Sequence, residues 1–162
     1  MSKYINVKAR TGARWTTHMP ALIQTLTDST GTVLEVGAGL FSTPLLHWLC
    51  KRSRRKLITY ENDPLFYEFA RDFATDLHEI RFIEDWDLMD FKSHYGLVFI
   101  DHHPEARRAT DVLKFKDSAD FIVVHDTDRS NKYGGLNEAF EQFKHQTVWK
   151  ERRPYTTVVS NG

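Results

Sequence analysis

The stretch Thr32-Val33-Leu34-Glu35-Val36-Gly37-Ala38-Gly39-Leu40-Phe41-Ser42-Thr43-Pro44 decides the fold. Residues 32–36 form a short apolar run that stops at a glycine, which reads as a buried strand by length and flanks. Gly37 and Gly39 then put backbone without side chains where the chain must bend tightly and let a ligand approach. Thr43 is a helix-capping type and Pro44 suits a first helical turn, so a helix over 41–52 is predicted to follow. Strand, glycine turn and helix together open a nucleotide-binding α/β sheet. The third glycine of the dinucleotide fingerprint is missing, and Ser42 stands in its place.

Outward from this unit the alternation continues. Further strands are predicted over 56–60, 80–83, 96–100 and 120–124, and helices over 19–26, 65–77, 104–115 and 136–144. Asp63-Pro64 repeats the cap-plus-proline signal. Gly96-Leu97-Val98-Phe99-Ile100 is apolar throughout, as a strand covered on both faces should be. Two last strands are predicted over 147–150 and 156–160. The five residues between them are too few for a parallel crossover, which takes about a dozen, so this pair must be an antiparallel hairpin. The predicted fold class is α/β: a doubly wound, mostly parallel seven-stranded sheet ending in an antiparallel hairpin, with helices on both faces. Residues 1–18 read as an N-terminal arm and 19–162 as a single domain.

Composition sets the outer limits. The 162 residues are 41% hydrophobic and 13% aromatic, enough for a packed core and unlike a disordered chain. Lys+Arg and Asp+Glu are equal at 22 each, so there is no general pull toward nucleic acid or anionic membrane. The basic run 51–56 is the local exception, and it reads as a solvated turn at the far end of the sheet. The single cysteine, Cys50, excludes an intrachain disulfide and reads as a small buried hydrophobe. Residues 1–10 lack the apolar run of a signal peptide, and no stretch of about 18 apolar residues is present. The expected compartment is the cytoplasm, with no membrane partner.

Ligands of open α/β sheets sit at the carboxyl ends of the strands. Glu61 ends the second strand, 22 residues past Gly39, where a carboxylate accepts from ribose hydroxyls. Asp85 and Trp86 follow the third strand at the same rim. There an acid can accept from an adenine amino group and an indole can stack on the ring, although packing alone explains Trp86 equally well.

Val33-Leu34-Glu35-Val36-Gly37-Ala38-Gly39 resembles the first motif of the class I S-adenosylmethionine-dependent methyltransferases. Glu61 resembles their ribose-binding acid, and Asp85 and Trp86 their adenine contacts. The terminal hairpin resembles the reversed seventh strand that separates this fold from NAD-binding domains. The resemblance runs over 32–160 and implies S-adenosylmethionine as cofactor, with Glu35, Gly37 and Gly39 around its methionine end and Glu61 on the ribose.

Methyl transfer from a sulfonium asks the protein mainly to align an acceptor and to take its proton. Asp101-His102-His103-Pro104 and His125-Asp126-Thr127-Asp128 end the fourth and fifth strands, facing that space. Asp101, His125 and Asp126 are the candidate catalytic residues. His102 and His103 read instead as helix-capping or structural groups. The pattern also resembles a subset of O-methyltransferases that hold magnesium with an acid after the fourth strand and an acid pair or acid-plus-amide after the fifth. His125-Asp126 departs from that pair, and histidine favours zinc or a transition metal over magnesium. If a divalent metal is bound, Asp101, His125 and Asp126 are its expected ligands, but the reading does not require one.

The stretch Arg14-Trp15-Thr16-Thr17-His18 reads equally as a lid over the site or as a docked arm, and Tyr133-Gly134-Gly135 as a substrate-contacting loop or a plain turn. The expected activity is methyl transfer to oxygen or nitrogen of a small molecule. The strand end His125-Asp126-Thr127 lacks the Asn/Asp-Pro-Pro-Tyr signature of nucleic-acid amino methylation, so nucleic acid is not the expected acceptor. A non-catalytic binding module or accessory subunit, and an aminopropyltransferase-like enzyme, are the alternatives. Oligomeric state is not legible.

Overall fold

The computed structural model describes residues 12–128 and 134–162. Its core is one seven-stranded sheet in the order β3-β2-β1-β4-β5-β7-β6. The strands are β1 (Val33–Val36), β2 (Leu57–Glu61), β3 (His78–Phe82), β4 (Tyr95–Ile100), β5 (Ala119–His125), β6 (His145–Trp149) and β7 (Thr156–Ser160). The first five pair in parallel; β7 runs antiparallel to both β5 and β6. The predicted fold class therefore holds, hairpin included. The physical reason is the one given by the sequence: a short connection cannot carry a crossover.

The helices are α1 (Met19–Asp28), α2 (Ser42–Ser53), α3 (Pro64–Ala70), α4 (Arg108–Lys114) and α5 (Leu136–Phe140). Alternate residues of each strand serve opposite faces. Val33, Leu57, Leu97, Phe99 and Val123 pack with Ala21, Leu22 and Leu26 of α1 and Leu46 and Cys50 of α2. Leu34, Val36, Val98, Ile100, Ile122 and Val124 pack with Ala109 and Val112 of α4 and Leu136 and Ala139 of α5. All six residues of β4 are buried, as its apolar run requires.

Several boundaries differ from expectation. The helix predicted over 65–77 ends as α3 at Ala70, followed by one 3₁₀ turn (Arg71–Phe73). A tight Thr75–His78 pairing then starts β3 two residues early. The last predicted helix shrinks to five residues. Asp63 caps α3 as predicted, its carboxylate accepting from the N–H groups of Leu65 (2.8 Å) and Phe66 (3.4 Å). Thr43 does not cap α2; that helix begins at Ser42, and the Thr43 hydroxyl points instead into the core.

The amino-terminal edge of the sheet explains the basic run. Arg55 donates to the carbonyls of Gly31 (2.7 Å) and Leu26 (2.9 Å), stitching the turn before β1 to the turn before β2. Lys56 pairs with Glu79 at 3.6 Å. Gly96 lies under the same turn, where any Cβ would overlap the Thr30 carbonyl oxygen. Among the described residues no helix is long and apolar enough to cross a membrane.

Candidate functional site

Strand order reverses between β1 and β4, because the chain leaves β1 toward β2 and β3 and returns on the other side. This is the switch point where loops from the strand ends diverge and leave a crevice. The two loops meet at Gly37, whose φ is +92° and whose added Cβ would stand 2.7 Å from the His102 Cα. A side chain is therefore excluded there on two counts, conformational and steric.

The floor beneath this loop is polar. Glu35 on β1 is fully buried and accepts hydrogen bonds from the hydroxyls of Thr43 (2.9 Å) and Thr59 (2.8 Å). Thr43 in turn accepts from the Gly39 N–H at 3.0 Å. Glu35 thus reaches the glycine turn through Thr43 and lies below it rather than at the rim. Burial pushes its carboxyl up to about 7, against the pull of the Ser42, Thr59 and Thr43 hydroxyls. The chain of contacts continues from Thr59 to His78 (2.9 Å) and from His78 to His47 (3.1 Å).

Glu61 closes the loop from the other side. Its Oε2 accepts from the Ala38 N–H at 2.6 Å, and its Oε1 from the N–H groups of Asn62 (2.7 Å) and Asp63 (2.8 Å). Burial raises its pKa, and these three donors partly offset the rise. The carboxylate is fixed at the end of β2 beside the glycine turn. Asp85 is exposed and accepts from the Asp87 N–H at 2.8 Å, starting a single 3₁₀ turn (Trp86–Leu88). Trp86 is 3% exposed; its indole N–H donates to the His103 carbonyl at 2.8 Å, and its ring centroid lies 4.5 Å from that of His102. It braces the β4 loop from below.

The ends of β4 and β5 bring Asp101, His125 and Asp126 together. His125 Nδ1 lies 3.2 Å from Asp101 Oδ2 and 3.8 Å from Asp126 Oδ1. Asp126 holds a left-handed backbone, φ +59°, uncommon outside glycine and a frequent mark of functional turns. His102 faces away, buried, with its Nε2 2.6 Å from Asp111 of α4; His103 is exposed and pairs with Glu105 at 2.9 Å. Neither caps a helix.

Three residues of this cluster were not singled out individually by the sequence. Arg108 is 3% exposed yet carries a full charge, donating to the carbonyls of His102 (3.0 Å) and His125 (2.9 Å). Its Nη2 lies 3.0 Å from Asp101 Oδ1 and its Nη1 3.4 Å from Asp126 Oδ2. The signal was available: Arg108, Asp111, Val112 and Phe115 are spaced i, i+3, i+4, i+7, which puts both charged residues on the buried face. Thr17 and His18 close the cluster from the N-terminal side. The Thr17 hydroxyl lies 3.0 Å from His125 Nε2 and 2.7 Å from the Pro154 carbonyl. His18 is 3% exposed, with ring centroids 4.8 Å from His125 and 5.2 Å from Phe99. The stretch 14–18 thus docks through its last two residues, while Trp15 stays exposed. Tyr133 lies outside the described residues; Gly134 and Gly135 form the turn into α5, both at positive φ.

Electrostatics follow from this packing. Burial alone would raise Asp101, but the Arg108 guanidinium and the His125 ring outweigh it and hold the carboxyl down at about 2. Burial would lower His125, and the Asp101 and Asp126 carboxylates reverse that, raising it above the usual imidazole value. His18 goes the other way: burial, with His125 adding to it, brings it down to about 4. The pocket therefore sets side by side a carboxyl held down by cationic neighbours, an imidazole raised by two carboxylates and an imidazole lowered by burial.

No protein-family model and no curated protein matches the chain. Solved structures do match in fold. Cofactor-bound Rv0187 from MTB superposes with a TM-score of 0.73 at 17% identity, covering 94% of this chain and 83% of that one. The S-adenosylhomocysteine-bound methyltransferase PaMTH1 of Podospora anserina gives 0.68 at 12% identity, covering 98% and 83%. A spermidine synthase bound to the transition-state analogue AdoDATO gives 0.65 at 19% identity, with this chain spanning 60% of its length. The chain has the Rossmann-like fold of the class I S-adenosylmethionine-dependent methyltransferases.

Proposed function

We propose that the protein is an S-adenosylmethionine-dependent methyltransferase acting on an oxygen or nitrogen of a small molecule. The observation that carries this reading is the arrangement at the strand-order switch point: the Gly37–Gly39 turn, fixed by Glu61, lies against the end of β4 that carries Asp101, which in turn meets His125 and Asp126 at the end of β5. The residues fit the cofactor. A side-chain-free turn admits close backbone approach, and Glu61 is a carboxylate held at the end of β2, suited to ribose hydroxyls. Gly37 and Gly39 would border the methionine end, with Asp85 at the adenine side and Trp86 supporting that wall.

When bound, the cofactor supplies an electrophilic methyl group on a good neutral leaving group. The chain's own residues then have two tasks. Asp101 and Asp126 accept a hydrogen bond from the acceptor's O–H or N–H and fix its lone pair toward the crevice. His125, its Nδ1 3.2 Å from Asp101 Oδ2, fixes the direction of that carboxylate. A carboxylate as acidic as Asp101 suffices as a base, because an oxygen or nitrogen gaining a methyl group becomes strongly acidic in the same step. Arg108 is a positioning residue that holds both carboxylates in place.

A second reading is favoured by two observations. The spermidine synthase likeness and the acidic strand ends together suit transfer of an aminopropyl group to an amine. Both readings are tested together. Calorimetric titration with S-adenosylmethionine, its decarboxylated form and NAD should show saturable binding of the first only. Glu61→Ala should weaken that binding about tenfold or more, as loss of a charged hydrogen-bond acceptor does. Preference for the decarboxylated cofactor would favour aminopropyl transfer. Binding of neither would leave a non-catalytic module.

A further inference from the structure

Beside Asp101 and His125 lies an imidazole that nothing among the described residues satisfies. Both ring nitrogens of His18 are buried and lack a hydrogen-bond partner among the described residues. Leaving such a group unpaired is costly, and folded proteins keep few of them. His18 sits edge-on to His125, and one ring nitrogen of each histidine and one Asp101 carboxylate oxygen lie within 4.8 Å of one another. We propose that His18, Asp101 and His125 form a binding site for a nitrogen-preferring divalent metal ion of the zinc or cobalt(II) class. Two nitrogens and one oxygen suit such ions better than magnesium, which prefers oxygen alone. Three protein ligands leave a coordination position open toward the crevice. Asp101, 23% exposed at its side chain, provides the entry path.

The groups behind the ligands are arranged as a metal site needs. Thr17 donates its single hydroxyl hydrogen to the Pro154 carbonyl at 2.7 Å, so at 3.0 Å it accepts from His125 Nε2–H. Once the Nδ1 proton leaves, that contact holds the Nε2–H tautomer and leaves Nδ1 as the ligand atom facing Asp101. Arg108, 3.0 Å from Asp101 Oδ1, holds the other oxygen and orients Oδ2 inward. Outer partners of this kind set ligand direction and are worth roughly 10–100-fold in metal affinity. On binding, the hydrogen between His125 Nδ1 and Asp101 leaves as one proton to solvent, and the ion takes its place. Asp126 stays outside the set, engaged with Arg108 at 3.4 Å. The inference stands on these side chains alone and does not depend on the methyl-transfer reading.

The test uses the full chain, stripped with chelator, and titrates cobalt(II) chloride while recording visible d–d absorption, with zinc calorimetry in parallel. One equivalent should bind with bands of a low-symmetry nitrogen–oxygen site, and magnesium should not displace it. His18→Ala should remove the bands, and Thr17→Val should weaken binding about tenfold. His47→Ala, at the other buried histidine pair, should leave binding unchanged. Should His18→Ala fail to fold, His18→Gln and Thr17→Val carry the test. Absence of bands and heat in the wild type, or binding that survives the His18 and Thr17 variants, overturns the proposal. Cofactor titrations on the same samples report separately on the proposed activity.

Discussion

Replacing Arg108 by methionine keeps the length of the side chain and removes its charge. In the folded protein Arg108 is 3% exposed and satisfies four acceptors: two backbone carbonyls, at 3.0 and 2.9 Å, and two carboxylates, at 3.0 and 3.4 Å. Removing one member of a buried ion pair leaves the other charge uncompensated, which costs about 3–5 kcal/mol. For a domain of this size about 1 kcal/mol shifts the melting temperature by roughly 2–4 °C, so a fall of about 6–20 °C is expected. Thermal unfolding followed by tryptophan fluorescence measures the shift, and urea unfolding the free-energy loss. A pH series adds a signature that packing loss would not give. The Asp101 pKa is depressed from 3.8 to about 2, so its contribution is present above about pH 4 and lost as pH falls through about 2. That amounts to about 2 kcal/mol on the scale of 1.36 kcal/mol per unit. In Arg108→Met this acid-side loss should shrink, and Arg108→Lys should fall between the two. A destabilisation below about 1 kcal/mol with an unchanged acid profile would refute the buried ion-pair account.

Other expectations follow from the same geometry. Glu35 has a raised pKa of about 7, so its neutral form stabilises the fold fully below about pH 4.5, and that benefit is lost as pH rises through about 7; Glu35→Gln should flatten this part of the stability profile, worth about 3 kcal/mol, in denaturant titrations at pH 5 and 8. Gly37→Ala meets both a φ of +92° and the His102 Cα at 2.7 Å, and should cost at least about 2 kcal/mol in thermal unfolding while also lowering cofactor affinity by calorimetry. Gly96→Ala collides with backbone at the opposite end of the sheet; it should destabilise at least as much, yet any folded fraction should bind cofactor normally.

Periodicity, glycine placement and loop length were enough to fix the architecture. Strand–helix alternation after Gly37 and a five-residue link before β7 imply a mostly parallel sheet with an antiparallel end, because crossover length is a property of the chain itself, whereas the strand order is read from the structure. The glycine turn, Glu61 and the Asp101, His125 and Asp126 cluster were legible for the same reason: strand ends are set by sequence, and the switch point gathers them. What the sequence did not specify is which polar residues meet. Glu35 lies beneath the loop because β1 alternation turns its side chain toward α2, where Thr43 is needed as a hydrogen-bond partner rather than as a cap. Trp86 packs under the β4 loop because the His103 carbonyl needs a donor there. Arg108 has a helical spacing that marks the buried face but not its partners, and His18 joins the site from 107 residues before His125, a separation that carries no information about proximity. Burial, and the charges it forces together, is a property of the packed molecule, and only the tertiary structure could decide it.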